Sequence, residues 1–137
     1  MKTVIMCDLD GTLCLFDRKT KNPYYRDFEN DEVNTAILYI LDRRDTNHNI
    51  VFVSGRSDKF RDVTEKWLRQ NIWGKHNKLF MRKDGDNRKD SIVKQEIYEN
   101  EIKGKYNVLF VLDDRNQVVE LWRSLGLVCL QVADGDF

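Results

Sequence analysis

The stretch that decides the fold is Val4-Ile5-Met6-Cys7-Asp8-Leu9-Asp10-Gly11-Thr12, in which an apolar run leads directly into two carboxylates. Such a run is typical of a buried strand. Carboxylates at positions i and i+2 of an extended strand point to the same side, so Asp8 and Asp10 can share a small hard cation such as Mg²⁺. The pair then offers a nucleophile and an acid or base for phosphate chemistry. A surface turn that only ends a strand is the alternative.

Further apolar runs alternate with segments of helical periodicity along the chain. We expect strands at 50–53, 78–81, 108–112 and 127–132, and helices at 31–44, 60–68, 91–103 and 118–125. Because the main strands are continuously apolar, they predict a parallel sheet that helices cover on both faces. Residues 13–30 are irregular, and the aromatic residues that they contain favour an ordered flap over the strand ends.

Composition excludes several classes of protein. The 137 residues predict one domain, 1–137, with a flap at about 13–30. The 23 basic and 23 acidic side chains cancel, so no global field attracts nucleic acid or a membrane. No apolar run approaches the roughly 20 residues of a membrane-spanning helix. Three cysteines without zinc-site spacing indicate free thiols, and we expect a cytoplasmic protein.

Two further strands are followed by residues that can take part in chemistry. Ser54-Gly55-Arg56 follows the second strong strand and Asp113-Asp114 follows the third. The carboxyl ends of parallel strands form the ligand crevice, so these groups should converge on Asp8 and Asp10. The first triplet offers a hydroxyl, a backbone N–H and a guanidinium to a phosphate, and the aspartates offer oxygens to a metal. An ordinary turn and acidic residues at a helix N-terminus are the respective alternatives.

Asp90 and Lys94 lie one helical turn apart on the same face of a predicted helix. Lys94 could present its ammonium to the phosphate while Asp90 holds Arg56. A surface ion pair is the alternative for these two residues. The sequence has no glycine-rich loop of the kind that cradles a nucleotide triphosphate, so we expect no ATP-binding kinase function in this chain.

Taken in order, these motifs resemble the four motifs of the haloacid dehalogenase-like phosphohydrolases. The stretches Gly85-Asp86-Asn87-Arg88-Lys89-Asp90, Asp113-Asp114-Arg115-Asn116-Gln117-Val118-Val119-Glu120 and Gln131-Val132-Ala133-Asp134-Gly135-Asp136-Phe137 narrow the likeness further. They are similar to the 3′-phosphatase domain of bacteriophage polynucleotide kinases. The resemblance implies a three-layer α/β sandwich with a minimal cap and a parallel five-stranded sheet of order 5-4-1-2-3.

The resemblance also implies residue roles. Asp8 would become an aspartyl-phosphate, and Asp10 would protonate the leaving oxygen and then activate water. Mg²⁺ would be held by Asp8, the Asp10 backbone carbonyl and Asp114, with support from Asp113. The phosphate would contact Ser54, Gly55, Arg56 and Lys94, with Asp90 supporting Arg56.

One departure from the family pattern concerns the flap. The family carries an essential arginine two positions before a Pro-Tyr pair, whereas here Lys21 stands in that place and Arg18 lies just upstream. Either residue could bind substrate, and Arg18 is slightly favoured.

The function that we expect is a Mg²⁺-dependent polynucleotide 3′-phosphatase, which leaves 3′-hydroxyl ends on DNA or RNA for nucleic-acid repair. The resemblance implies a free-standing phosphatase, which could cooperate with a separate kinase or ligase. The cytoplasm that we expect from the cysteines would be the host cytoplasm if the protein is phage-encoded. A phosphatase of free nucleotides or small phosphomonoesters is the alternative enzyme. A silent module that binds nucleic-acid ends is the alternative from another class, and the intact carboxylates disfavour it.

Overall fold

The computed structural model describes residues 1–72 and 77–137. Its strands are β1 Lys2–Cys7, β2 Cys14–Leu15, β3 Glu32–Val33, β4 Asn49–Ser57, β5 Lys78–Arg82, β6 Tyr106–Asp113 and β7 Cys129–Gln131. Its α-helices are α1 Thr35–Asp42, α2 Arg61–Asn71, α3 Asp90–Ile97 and α4 Asn116–Ser124. Short 3₁₀ turns occupy Phe28–Asn30 and Asp58–Phe60, and a π-helical turn at Tyr98–Ile102 continues α3.

Five of the strands form one parallel sheet in the order β5-β4-β1-β6-β7. The expected order 5-4-1-2-3 is therefore corrected to 5-4-1-6-7. The difference arises because the flap contributes β2 and β3, which the sequence analysis did not count and which form a sheet of their own. If only the five strands of the main sheet are numbered, the order reads 3-2-1-4-5, which is 5-4-1-2-3 counted from the opposite edge.

Helices cover both faces of the sheet, as the apolar strands predict. Ile5 and Cys7 of β1 point into a core that also contains Ile37 of α1 and Trp67 of α2. The alternate β1 residues point into a second core that includes Trp122 of α4. The two cores make a three-layer α/β sandwich, and β1 lies at its centre with its carboxyl end at the candidate site. Among the described residues, no helix is both long and apolar enough to cross a membrane.

The flap is ordered and is fastened at both ends. β2 and β3 pair antiparallel and close its base. Phe28, near the carboxyl end of the flap, is buried and packs against Phe60, with 4.9 Å between the ring centroids. The indole N–H of Trp67 donates to the backbone carbonyl of Asp31 at 3.0 Å and thereby ties the end of the flap to α2.

Several predicted boundaries move. The helix that we expected over 31–44 begins only at Thr35, because Glu32–Val33 form β3 with the flap. Ser54-Gly55-Arg56 lies within β4 rather than after it, because the strand continues through a register shift against β5 between Ser54 and Ser57. The helix that we expected over 91–103 changes to a π-helical turn at Tyr98. The last residues return to the sheet end, where the N–H of Asn116 donates to the Gly135 carbonyl at 2.9 Å.

Candidate active site

Three buried carboxylates meet at the carboxyl ends of β1 and β6. Asp8, Asp113 and Asp114 each place one oxygen so that the three atoms lie within 4.8 Å of one another. The hydroxyl of Thr12 lies 3.1 Å from Asp8 Oδ2 and 3.4 Å from Asp114 Oδ1 and connects two of them. Gly11 has a φ of 84°, and a Cβ there would collide with the Asp114 carboxylate. Glycine is therefore required for the close approach of these two segments.

Lys94 is the cation inside this acid cluster. Its Nζ donates to Asp8 Oδ1 at 2.8 Å and to Asp113 Oδ2 at 3.2 Å, and its side chain is 2 % exposed. Asp113 Oδ2 also accepts from the Trp122 indole at 3.1 Å, while its Oδ1 accepts from the Asp114 N–H at 2.8 Å. Both oxygens of Asp113 are thus engaged by the protein, which suits the supporting role that the resemblance implies.

The acid cluster carries excess negative charge. Burial raises the pKa of Asp8 well above its ordinary value, and the Asp113 carboxylate raises it further although Lys94 opposes the shift. Burial likewise raises the pKa of Asp114. The pKa of Lys94 is also raised, because Asp113 and Asp8 outweigh the opposing effect of burial. Three clustered hard oxygen donors with one ammonium between two of them fit a divalent cation such as Mg²⁺.

Asp10 belongs to a different group of charges. Both its oxygens accept from Arg56 at 2.9–3.2 Å, and its Oδ1 also accepts from Arg26. The two guanidiniums also bond Asp31, at 3.0 Å from Arg56 and 2.6 Å from Arg26. The structure thus places the Asp10 carboxylate with Arg56 and Arg26, outside the group of oxygens that Asp8 shares with Asp113 and Asp114. β1 ends at Cys7, so the alternation of an extended strand does not apply to these two side chains.

This second group, the arginine–aspartate cluster, is balanced in charge, with two guanidiniums for two carboxylates. Burial alone would raise the pKa of Asp10, but the charge and hydrogen bonds of Arg56, together with Arg26, hold it below its ordinary value. The same contacts raise the pKa of Arg56, although burial opposes the shift. The hydroxyl of Thr64 on α2 accepts a further Arg56 hydrogen bond at 3.1 Å. Asp10 is therefore a positioned, ionised carboxylate.

Asp90 does not hold Arg56, contrary to the interpretation of the sequence. Its carboxylate lies over Gly55, where any Cβ would collide with Oδ1, and it reaches Arg82 at 3.5 Å, Lys94 at 3.8 Å and Arg115 at 3.8 Å. Arg56 donates hydrogen bonds to Asp10 and Asp31 instead. The reason is that β4 carries Arg56 toward α2 and the flap, on the opposite side from α3. Asp90 thus belongs with Lys94 at the edge of the acid cluster.

The acid cluster opens into a cavity of about 60 Å³. This catalytic cavity is lined by Asp8, Asp10, Arg18, Pro23, Tyr24, Gly55, Asp90, Asp113, Asp114, Arg115 and Phe137. Ser54 is fully buried, and its hydroxyl accepts the Arg56 N–H at 3.1 Å, so it does not line the cavity. Arg56 and Lys94 are also absent from the lining, and each reaches it through a carboxylate that it holds.

The structure separates the two flap candidates. Arg18 lines the catalytic cavity with its Nη2 3.7 Å from Asp114 Oδ2. Lys21 lies outside it and pairs with Asp27 at 3.1 Å. Of these two candidates, Arg18 is therefore the one whose side chain faces the catalytic cavity.

Arginines and phenylalanines alternate from the flap to the last residue of the chain. Each of the guanidinium carbons lies 3.6–4.9 Å from the centroid of a neighbouring ring. The resulting cation–aromatic stack runs Phe137, Arg18, Phe16, Arg26, Phe28, Arg56. Such contacts contribute about 0.5–1 kcal/mol each at exposed sites and more when desolvated. The stack thereby links Arg18 above the acid cluster to Arg26 and Arg56 on Asp10.

Several residues of the site were missed in the sequence. Arg26 and Asp31 carry no motif spacing, and Arg26 lies after Pro23, whereas the family pattern places its arginine before the Pro-Tyr pair. Arg115 and Phe137 lie within stretches that resemble the family, but the resemblance implies no role for them. The flap has aromatic residues at both of its ends, and Arg26 is a cation that lies among them. This combination is the signal in the sequence that could have indicated Arg26.

Comparisons with known proteins show the family of this chain. The family model described as the polynucleotide kinase PNKP phosphatase domain matches residues 2–137. A protein of Autographa californica nuclear polyhedrosis virus, described as a bifunctional polynucleotide kinase/RNA ligase, is 40 % identical over 131 residues. The match covers 90 % of this chain and 18 % of the viral protein.

Solved structures give the same picture. A chain of a Pnkp1/Rnl/Hen1 complex superposes with a TM-score of 0.91 at 40 % identity, over 100 % of this chain and 48 % of that one. A chain of the Pnkp1/Rnl/Hen1 RNA repair complex gives a TM-score of 0.90 at 40 % identity, over 99 % and 44 %. This chain thus spans less than half the length of each of these relatives.

Proposed function

The chain belongs to the family of polynucleotide kinase PNKP phosphatase domains, and from this premise we propose that it is a Mg²⁺-dependent polynucleotide 3′-phosphatase. The observation that carries the proposal is the pair of charge clusters at one cavity: Asp8 in a cation-deficient acid cluster, and Asp10 held beside it by arginines. Together the two clusters would provide a nucleophile, a metal site and an acid/base at one cavity. The members of the chain's family are phosphatase domains, which fits this set of groups.

In the proposed first step, a carboxylate oxygen of Asp8 attacks the phosphorus. The bond to the 3′-oxygen breaks, Asp10 gives that oxygen a proton, and the phosphoryl group stays on Asp8. Lys94 holds Asp8 Oδ1 at 2.8 Å and fixes the direction of the free lone pairs. Alignment of this kind is a main part of what a protein contributes to phosphoryl transfer.

In the second step, Asp10 takes a proton from water while the water oxygen attacks the phosphorus. The bond to Asp8 breaks, and inorganic phosphate leaves. The lowered pKa of Asp10 keeps its carboxylate ionised, which suits this base role. For the first step Asp10 must carry a proton, so we propose that an incoming phosphate draws Arg26 from Asp10 to itself.

Asp8 and Asp114 are the proposed direct ligands of Mg²⁺, with the Asp10 backbone carbonyl as a third and Asp113 as their support. When bound there, the metal would neutralise charge on the phosphate. Arg18, which lies 3.7 Å from Asp114, is the proposed additional phosphate ligand from the flap.

One of the solved relatives is described as part of an RNA repair complex, and RNA 3′-phosphate ends are therefore the proposed natural substrate. A separate kinase and ligase are the proposed partners, since the relatives are described as kinase and ligase proteins or their complexes. The cytoplasm is the proposed compartment, in keeping with three buried unpaired thiols.

The test compares one oligonucleotide that carries a phosphate at its 3′ end with the same oligonucleotide phosphorylated at its 5′ end. The proposal expects Mg²⁺-dependent release of phosphate from the 3′ end at a much higher rate. The Asp8→Asn protein serves as the control for contaminating phosphatases. Equal rates at both ends, or a preference for free 5′-nucleotides, would leave only a phosphatase of small phosphomonoesters.

A further inference from the structure

A large groove adjoins the catalytic cavity. It encloses about 600 Å³, ten times the volume of about 60 Å³ in the catalytic cavity. The two share Tyr24, Gly55, Asp90 and Arg115 in their linings. Arg115 Nη1 lies 3.4 Å from the Tyr24 hydroxyl, so these two side chains form a bridge between the flap and α4 at the boundary.

The two volumes separate the parts of a substrate. The catalytic cavity has room for a phosphoryl group beside Asp8, but it cannot also enclose a nucleoside. The groove lies within the range of about 300–1,000 Å³ that is typical of pockets for drug-sized ligands. A leaving nucleoside therefore has to extend past the Tyr24–Arg115 bridge into the groove, and the chain that precedes it must follow.

One wall of the groove is an aromatic corner, made by the rings of Tyr25 and Phe60 with the side chain of Lys59 beside them. Tyr25 is 68 % exposed, and its ring contacts the Phe60 ring edge-on with 5.8 Å between centroids. Phe60 in turn packs on the buried Phe28, so the corner rests on the core. Lys59 Nζ lies 5.7 Å from the Tyr25 ring and 5.1 Å from the Phe60 ring. In the part of the chain that the structure describes, it makes no ion pair.

A second wall of the groove is the polar loop between β5 and α3. Over the whole groove, five cationic side chains face three carboxylates, which leaves a surplus of two positive charges in a chain of zero net charge. The cations are Lys59, Arg82, Arg88, Lys89 and Arg115, and the carboxylates are Asp84, Asp86 and Asp90. Arg88 is neutralised by Asp86 and Glu96, so Lys59 and Lys89 supply the charge that is free for a ligand.

We propose that this groove binds the nucleotides upstream of the 3′ end, with the base of the penultimate nucleotide stacked on Tyr25 and its phosphodiester at Lys59. An exposed aromatic ring next to an ammonium that no carboxylate pairs with among the described residues is a combination that binds single strands without sequence preference. This proposal rests on the proposed 3′-phosphatase function. The nucleotides in the groove would be the part of the polymer because of which the enzyme prefers a polynucleotide to a mononucleotide as substrate. Lys89, which lines the groove from the polar loop, would contact the next phosphodiester.

The test measures kcat/KM for 3′-phosphorylated substrates of one, two, three and six nucleotides, together with a small chromogenic phosphate. Stacking contributes about 1–3 kcal/mol per base, so the second nucleotide should raise kcat/KM by about tenfold or more. Tyr25→Ala should remove most of that rise, and Lys59→Ala should reduce it and lower its dependence on salt. Each result is expressed as the ratio to the chromogenic rate of the same variant.

Tyr39→Ala and Lys66→Ala are matched controls, because both residues are exposed and lie outside the groove. They should keep the wild-type length dependence. If Tyr25→Ala and Lys59→Ala behave like these controls, or if length has no effect in the wild type, the groove proposal is overturned while 3′ specificity stands. If 3′-phosphorylated substrates are not preferred over 5′-phosphorylated ones, the function and the groove proposal both fail.

Discussion

Two buried charge clusters lie side by side in this protein, and they are built differently. The acid cluster at the ends of β1 and β6 holds three carboxylates, and Lys94 is its inner cation. The arginine–aspartate cluster between β4 and the flap matches two carboxylates with two guanidiniums. Burial and neighbouring negative charge raise the pKa of Asp8 in the first, whereas Arg56 and Arg26 lower the pKa of Asp10 in the second.

The difference shows which cluster needs something from solution. Buried charges are stable only when they are paired and hydrogen-bonded. The arginine–aspartate cluster meets this condition with its own residues and so holds Asp10 and the end of the flap in place. The acid cluster does not meet it, and a divalent cation would supply the missing charge. In this protein Asp8 of the first cluster and Asp10 of the second line one cavity. In the mechanism that we propose, this arrangement allows Asp8 to attack the phosphorus and Asp10 to move protons.

The largest expected effect comes from removing the nucleophile. Asp8→Asn should abolish measurable turnover, because an amide does not attack phosphorus and is a poorer metal ligand. Chelation of divalent metal should do the same to the wild type. Phosphate release is the measurement, and Asp42→Asn, an exposed carboxylate on α1, is the control. Full activity in Asp8→Asn would remove the covalent mechanism.

Lys94→Ala should lower kcat on the order of 10²-fold or more on every substrate, the small chromogenic phosphate included. The reason is that Lys94 holds Asp8 and is the inner cation of the acid cluster. Lys83→Ala removes an exposed lysine from the polar loop and should leave the chromogenic rate unchanged. Circular dichroism in the presence of Mg²⁺ checks that the variants are folded. Similar kinetics for the two variants would contradict the role of Lys94.

A smaller effect should separate the two flap cations. Arg18→Ala should reduce kcat/KM by about tenfold, since its guanidinium faces the catalytic cavity and a charged hydrogen bond contributes about 1.5–3 kcal/mol. Lys21→Ala should change it by less than about twofold, because exposed ion pairs such as Lys21–Asp27 contribute little. The reverse order would make Lys21 the functional counterpart of the family's arginine.

The smallest effect concerns the end of the cation–aromatic stack. Phe137→Leu should lower kcat/KM about two- to fivefold, because it removes a cation–π contact of about 0.5–1 kcal/mol from Arg18. Phe137→Tyr keeps the ring and should retain wild-type activity. A loss in Phe137→Leu that persists in an Arg18→Ala background would show that the ring acts on something other than Arg18.

The sheet and the acid cluster could be predicted from the sequence because both follow local rules. Continuously apolar strands predict a covered parallel sheet, and the ends of such strands converge, which brought Asp8 together with Asp113 and Asp114. Lys94 was also placed correctly one turn from Asp90, although its main partners turned out to be Asp8 and Asp113.

The arginine–aspartate cluster could not be predicted in the same way. Its members come from β1, the flap and β4, and no spacing relates Arg26 or Asp31 to Asp10. The direction in which β4 continues beyond Ser54 determines which carboxylate Arg56 binds. This direction is a feature of the tertiary structure, and the pattern of a strand does not contain it. The strand numbering failed for a related reason, since β2 and β3 are two-residue strands that exist only because the flap folds back on itself.

The most direct test of the contrast between the clusters is the melting temperature with and without Mg²⁺ at about pH 5 and about pH 7.5. The raised pKa of Asp8 and Asp114 means that their contribution to stability is complete below their unfolded pKa and is lost as pH rises through the folded pKa. The lowered pKa of Asp10 has the opposite sign: its contribution is present above the unfolded pKa and is lost as pH falls through the folded one.

A metal that binds only the folded acid cluster should therefore raise the melting temperature more at the higher pH. Asp114→Asn should lose most of this Mg²⁺-dependent rise, whereas Asp10→Asn should keep it, because its side chain belongs to the balanced cluster. This is the result that the account predicts. An equal rise in the wild type and in Asp114→Asn, or a rise that disappears only in Asp10→Asn, would contradict it.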